Sequence, residues 1–119
     1  RLWREYAERS RADPDYALPG GESPRQLTER VARTLREIIH ELDGQSAIIV
    51  SHQGALSTGI PFLLNDLANW PRYQMANCGV TRVLLGNDHT AQLLSLNETG
   101  HLAEIGSEIW KPEPVRAAQ

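Results

Sequence analysis

Residues 23–50 constrain this chain most. Ser23 is followed by Pro24 and, three positions on, by Gln26. That spacing is a capping box: the Ser hydroxyl and the Gln side chain each satisfy a backbone N–H that the first helical turn leaves open. Proline at the first helical position gives up an N–H that had no partner there. Leu27, Val31, Leu35, Ile38 and Leu42 then recur at spacings of three and four, opposite Arg30, Arg33, Arg36 and Glu37. The pattern predicts an amphipathic helix over 24–43, stopped by Asp43-Gly44. After a short polar break comes Ala47-Ile48-Ile49-Val50, apolar without alternation and rich in β-branched residues. Such a run predicts a strand buried on both faces. Leu56, Ile60, Leu63 and Leu64 predict another helix over 54–66, kinked or bounded by Pro61. A helix, a doubly buried strand and a helix call for a parallel sheet between helical layers.

The flanks read more simply. Leu2, Trp3 and Tyr6 form a partial apolar stripe that predicts a charged helix over residues 1–11, ended by Asp13-Pro14. Residues 12–22, with Pro14, Pro19, Gly20 and Gly21, are a loop. Val80 to Leu85 and Ala91 to Leu96 are strand-like runs around Gly86-Asn87-Asp88-His89, which predicts antiparallel neighbours joined by a hairpin turn. The expected fold class is therefore α/β: three layers, α/β/α, around a mostly parallel sheet with antiparallel C-terminal strands. Residues 1–110 form the domain portion. Residues 111–119, with Pro112 and Pro114, are a tail.

Composition excludes several functions. The chain has 119 residues, and 12 basic against 15 acidic side chains leave a net charge of −3, which is no footprint for nucleic acid or an anionic membrane. The single cysteine, Cys78, excludes an internal disulfide and a multi-Cys zinc site and is compatible with a reducing, cytoplasmic setting. No apolar run approaches the ~20 residues that span a bilayer.

Chemistry is best placed at Val50-Ser51-His52-Gln53-Gly54, where the predicted strand meets the next helix. Ligands of open α/β sheets bind at the carboxyl ends of strands, and the open N–H groups of a following helix attract anions. His52 there suits a phosphate, with the N–H groups of Gln53 and Gly54 beside it. A serine nucleophile elbow needs Gly-x-Ser-x-Gly; Ile49 and Gln53 flank Ser51 instead, so the pattern fails. His40 falls on the polar side of a helix, His89 in a turn and His101 after the last strand, and no pair has metal-ligand spacing on one helix face.

Taken in order, Pro19-Gly20-Gly21-Glu22-Ser23, the Arg-rich helix, Ile48-Ile49-Val50-Ser51-His52-Gln53-Gly54, Asn77-Cys78-Gly79-Val80-Thr81 and Leu94-Ser95-Leu96-Asn97 resemble the histidine phosphatase superfamily, the phosphoglycerate-mutase-like enzymes. The resemblance covers about residues 1–105 and matches the C-terminal part of the family's domain. It implies a phosphomonoesterase or phosphomutase that works through a phosphohistidine, without metal or organic cofactor, on a phosphorylated small molecule. It makes His52 the second active-site histidine, Gln53 a phosphate ligand through its N–H, and Glu22 and Asn77 border residues of the pocket. Gln53 after His52 is locally similar to the fructose-2,6-bisphosphatase branch. Family members open with a strand ending in Arg-His-Gly, whose histidine accepts the phosphoryl group, and no Arg-His-Gly occurs here. The fold is thus expected to be incomplete as given, finished by an upstream segment or by a swapped or associated chain. The alternative is a non-catalytic, truncated or degenerate binding or assembly module.

Overall fold

The computed structural model of the chain describes residues 1–104. Helix α1 spans Leu2–Ala12, α2 spans Pro24–Leu42 and α3 spans Gln53–Leu63. A 3-10 segment at Leu67–Tyr73 follows, then strands β1 (Val80–Leu85) and β2 (Ala91–Glu98), and a last 3-10 turn at Gly100–Leu102. The chain divides into two compact units, Arg1–Glu41 and a second that begins at Leu42. The tail expected at 111–119 lies outside the described residues.

In the first unit, α1 presents its aromatic stripe to the loop. The Trp3 and Tyr6 rings lie 5.7 Å apart, those of Tyr6 and Tyr16 6.2 Å apart, and the Arg9 guanidinium sits 5.4 Å from the Tyr16 centroid. The predicted capping box is formed in both directions. Gln26 N–H donates to Ser23 Oγ at 3.2 Å, and Ser23 N–H donates to Gln26 Oε1 at 2.9 Å. Ser23 itself is buried, so the polar groups at this helix start are matched within the protein. A second tie fixes the entry of α2: Arg25 N–H donates to the Pro14 carbonyl at 3.0 Å, and its guanidinium donates to Asp15 at 2.6 Å. Val31, Ala32 and Leu35 are buried, while Arg30, Arg33, Arg36 and Glu37 on the opposite face are exposed, as the periodicity predicts. Asp43 and Gly44, both at positive φ, end the helix.

The second unit differs from the sequence expectation at one point. Residues 47–50 are not hydrogen-bonded into a sheet. Ile48 is 94% exposed, Ile49 47% and Val50 91%. The reason is the shortage of neighbours. Among the described residues the only sheet is the two-stranded pair β1–β2, which satisfy one another. A run built for burial on both faces needs strands at its edges and layers above and below it. Without them, an Ile or Val side chain forgoes roughly 1.5–3 kcal/mol of burial.

The rest of this unit packs around α3. Ile60, Tyr73 and Met75 form a buried cluster with Leu56, Leu64 and Leu96 against it. Pro61 lies inside α3, which runs two residues past it to Leu63, and Asn65 at positive φ turns the chain away. The Tyr73 ring is 2% exposed, and its hydroxyl donates to Asp66 Oδ2 at 2.5 Å. That bond, with a second from Asn69, holds the Asp66 carboxyl below the usual carboxylate range. The same bond and burial push the Tyr73 phenol up.

The hairpin forms where expected. Leu85 pairs with Ala91, and the connection closes through Gly86 N–H to the Thr90 carbonyl at 2.8 Å, with His89 in the left-handed region. Its register then slips twice, so that Arg82 faces Ser95 and Val80 faces Glu98. The slips insert residues into β2, which runs two residues past the expected end. Asn97 lies in the second slip at φ 50°. Its Oδ1 accepts the Ala76 N–H at 2.9 Å, and its own N–H donates to Thr81 Oγ1 at 3.0 Å.

Gly79 runs beneath that amide. A Cβ there would stand 2.2 Å from Asn97 Oδ1 and 3.0 Å from the Ala76 carbonyl oxygen. Relieving the overlap means breaking the Asn97–Ala76 bond or moving backbone. Gly79→Ala is therefore expected to lower stability by about 1–3 kcal/mol, read as a shift of the urea midpoint. An unchanged midpoint would show that the turn does not depend on this close approach.

Candidate functional site

The residues singled out from the sequence fall in both units: Glu22 in the first, His52, Gln53 and Asn77 in the second. His52 is the N-cap of α3, with extended backbone at φ −110° and ψ 161°. Its carbonyl accepts the Leu56 N–H at 2.9 Å, which starts the helix. Its imidazole makes no capping bond and is exposed. The N–H groups that open a helix have no intrahelical partner and carry the positive end of its dipole. Gln53 and Gly54 supply two of them here. A Cβ added at Gly54 would meet no described atom within 4 Å, so the space beside this turn is open. An exposed imidazole next to unpaired N–H groups at a helix start is an arrangement suited to an anion.

Gln53 is half-buried, and its side chain turns inward. Its Nε2 donates to Gln74 Oε1. Gln74 follows directly on the buried Tyr73 and precedes the buried Met75. Asn77 is exposed in the turn between Ala76 and Gly79, where Gly79 N–H donates to the Ala76 carbonyl at 3.0 Å and Cys78 sits at φ 60°. A ring nitrogen of His101 lies 2.9 Å from the Cys78 carbonyl oxygen, so this histidine braces the same turn. Two sequence motifs that lie far apart in the chain, Asn77–Thr81 and Leu94–Asn97, thus meet through the Asn97 amide and the Thr81 hydroxyl. Sequence reasoning gave no role to Gln74, Thr81, Asn97 or His101. Thr81 and Asn97 stood out only as members of the two motifs, and His101 only as a residue that could cap the end of the last strand.

Glu22 is the acceptor of a bidentate ion pair. Arg30 Nε donates to Oε2 at 2.8 Å and Arg30 Nη2 donates to Oε1 at 3.0 Å. Arg30, which the helix pattern assigns to the solvated face, therefore has a specific partner. Its hydrogen bonds hold the Glu22 carboxyl below the usual carboxylate range, against a smaller opposing effect of desolvation. They also push the guanidinium up. Glu22 is thus a fixed carboxylate at neutral pH, able to accept hydrogen bonds but not to donate a proton. Glu22, Glu29, Arg30 and Arg33 line a shallow, open depression with Gly21 and Gln26.

Among the described residues, no group of three or more His, Cys, Asp or Glu side chains is arranged to hold a metal ion. No described helix is long and apolar enough to cross a membrane.

Because its pKa is lowered in the fold, Glu22 contributes stability above its unfolded pKa, and that contribution is lost as pH falls through the folded value. Arg30→Ala is expected to raise the Glu22 midpoint towards the ordinary glutamate range and to flatten the acid limb of stability against pH. Side-chain carboxyl NMR titration checks the first and urea melts at graded pH check the second. A midpoint that does not move would mean the pair is absent in solution.

The family model of the histidine phosphatase superfamily (branch 1) matches residues 1–99. No curated protein and no solved structure gives a significant match.

Proposed function

The chain belongs to the histidine phosphatase superfamily, and from that premise we propose that it supplies the second-histidine part of a phosphomonoesterase or phosphomutase. The observation that carries this reading is the family match across residues 1–99, within which His52 stands exposed at the start of α3. In the proposed reaction a histidine outside these 119 residues attacks the substrate phosphorus. An N–P bond forms as the ester P–O bond breaks, and the leaving oxygen takes a proton from an acid that also lies outside. Water then cleaves the phosphohistidine to inorganic phosphate, or a second acceptor takes the group in a mutase. Splitting the transfer into two steps lowers each barrier.

His52 would donate a hydrogen bond to a non-bridging oxygen of the transferring group, with the Gln53 N–H beside it. Phosphoryl transfer depends mainly on positioning and on stabilising the charge of those oxygens, which suits these donors. Glu22 and Asn77 would border the substrate, with no metal or organic cofactor taking part. Glu22, held ionised by Arg30, would accept substrate hydroxyls and would repel misplaced phosphate.

The exposed run at 47–50 supports the structural half of the proposal. A strand from an upstream segment, or from a swapped or associated chain, would pair with Ala47–Val50 and give the parallel core of a three-layer α/β/α domain. Sequence supports a second reading as well: no Arg-His-Gly occurs in the 119 residues, as expected of a non-catalytic binding or assembly module.

Two measurements separate these readings. In the full-length protein, His52→Ala is expected to reduce kcat/KM for p-nitrophenyl phosphate about 10²–10³-fold, the usual cost of a transition-state donor. A full-length protein without turnover would favour the binding module, and a His52→Ala variant with normal turnover would remove His52 from the site. The isolated 119-residue chain should show negligible turnover, self-association in sedimentation, and fast amide exchange at Ile48 and Ile49. A monodisperse monomer with both amides protected would mean that the chain closes its own sheet.

A further inference from the structure

We propose that Gln74 is a positioning residue for the phosphate site at the start of α3, acting through the side chain of Gln53. The inference rests on the reading of His52 and Gln53 given above and goes one step further into the unit. Three observations lead to it.

First, the Gln53 side chain is held within the fold. Gln53 occupies the first position of α3, immediately after the N-cap, and its Nε2 donates to Gln74 Oε1 across 21 residues of sequence. Second, Gln74 is well fixed. It stands between Tyr73 and Met75, which are 2% and 4% exposed, at the end of the 3-10 segment whose Tyr73 is tied to Asp66. The Thr81 hydroxyl donates to Met75 Sδ at 3.3 Å, and beyond Met75 the backbone is tied again through Ala76 N–H to Asn97. Third, the start of α3 lacks the usual local restraint. His52 makes no side-chain capping bond, and the irregular residues before it are exposed. Helix ends fray unless something holds them. Among the described residues, the Gln53–Gln74 amide pair ties the first turn of α3 to a distant, buried part of the chain.

The consequence is a division of labour within one residue. The Gln53 backbone N–H faces the anion, while its side chain sets where that N–H points. Loss of the Gln74 acceptor leaves a half-buried amide group without its partner and frees the first turn to move. Phosphate would then bind a less ordered pair of donors, at His52 and at the Gln53 N–H.

Inorganic phosphate and the full-length protein are the test. Binding is followed by the imidazole Cε1–H shift of His52, assigned with a His52→Asn variant, and by calorimetry. Gln74→Ala is expected to weaken phosphate binding about 3- to 10-fold, the effect of losing one internal hydrogen bond. A merely structural role would move the urea midpoint without respect to Gln53, so a double-mutant cycle is decisive. In a Gln53→Ala background the Gln74→Ala change should have no further effect on phosphate affinity. Additive losses in the cycle, or an unchanged affinity in Gln74→Ala, would overturn the inference while leaving His52 in the site. If phosphate leaves the His52 signal unmoved in the unsubstituted protein, the reading of His52 fails and this inference falls with it.

Discussion

The second unit depends on the amide of Asn97. That residue lies in a register slip of the hairpin, in a left-handed conformation that asparagine tolerates better than most side chains. From there its oxygen caps the Ala76 N–H, and its backbone N–H takes the Thr81 hydroxyl. The first bond sets the turn that carries Asn77 and Cys78. The second joins the start of β1 to the end of β2. Gly79 lets the backbone pass beneath the amide, where any side chain would strike it. A ring nitrogen of His101 also meets the Cys78 carbonyl. One residue, through its side-chain oxygen and its backbone N–H, thus couples the hairpin, the turn and the approach to Met75 and the buried cluster. A bulge that would weaken a plain ladder is what aims this amide.

How far the sequence shows all this follows from the range of each interaction. The capping box at Ser23 and Gln26 needs only four consecutive residues, and it is read and observed in both directions. The α2 stripe, the stop at Asp43-Gly44 and the hairpin around Gly86–His89 are equally local. Pro61 is read as a kink or a boundary, and the helix runs two residues past it before it ends. The Glu22–Arg30 pair spans eight residues but joins a loop to a helix face. Periodicity alone sees Arg30 as one more solvated charge. Gln53–Gln74 and Ala76–Asn97 each bridge 21 residues, and no spacing rule reaches that far. The helix that starts after His52 is legible from its own apolar spacing, while the strand expected before it is not formed among the described residues. The residues that brace it are not.

The run at 47–50 is instructive in a different way. Its composition describes an environment, burial on two faces, and a composition can be read correctly while the environment lies elsewhere. Ile48 and Val50 are nearly fully exposed because the described chain holds no strand or layer to cover them. Apolar side chains left so open are a template for pairing with another strand. The sheet that does form closes on itself through β1 and β2. Its outward face also leaves Leu84 and Leu94 exposed, at 53% and 56%. Both faces of this unit's β structure therefore carry apolar groups, as in a sheet with a layer on each side.

The same junction ties stability to chemistry under the proposed function. His52 follows the exposed run directly and opens α3, so its backbone is shared between an element that lacks partners and one that has them. On the helix side, the Leu56 N–H, the Gln53–Gln74 pair and the Ile60–Tyr73–Met75 cluster hold it. On the strand side, no hydrogen-bonded ladder does. Pairing of 47–50 with a neighbouring strand would fix the residues before His52 as firmly as the helix fixes those after it. A strand that also carried the phosphoryl-accepting histidine would arrive by the same pairing. Order at the second histidine and delivery of the first would then be one event. The energy of burying Ile48, Ile49 and Val50 would be released in the step that assembles the catalytic pair, and without that step the donors at the start of α3 would remain but not the reaction.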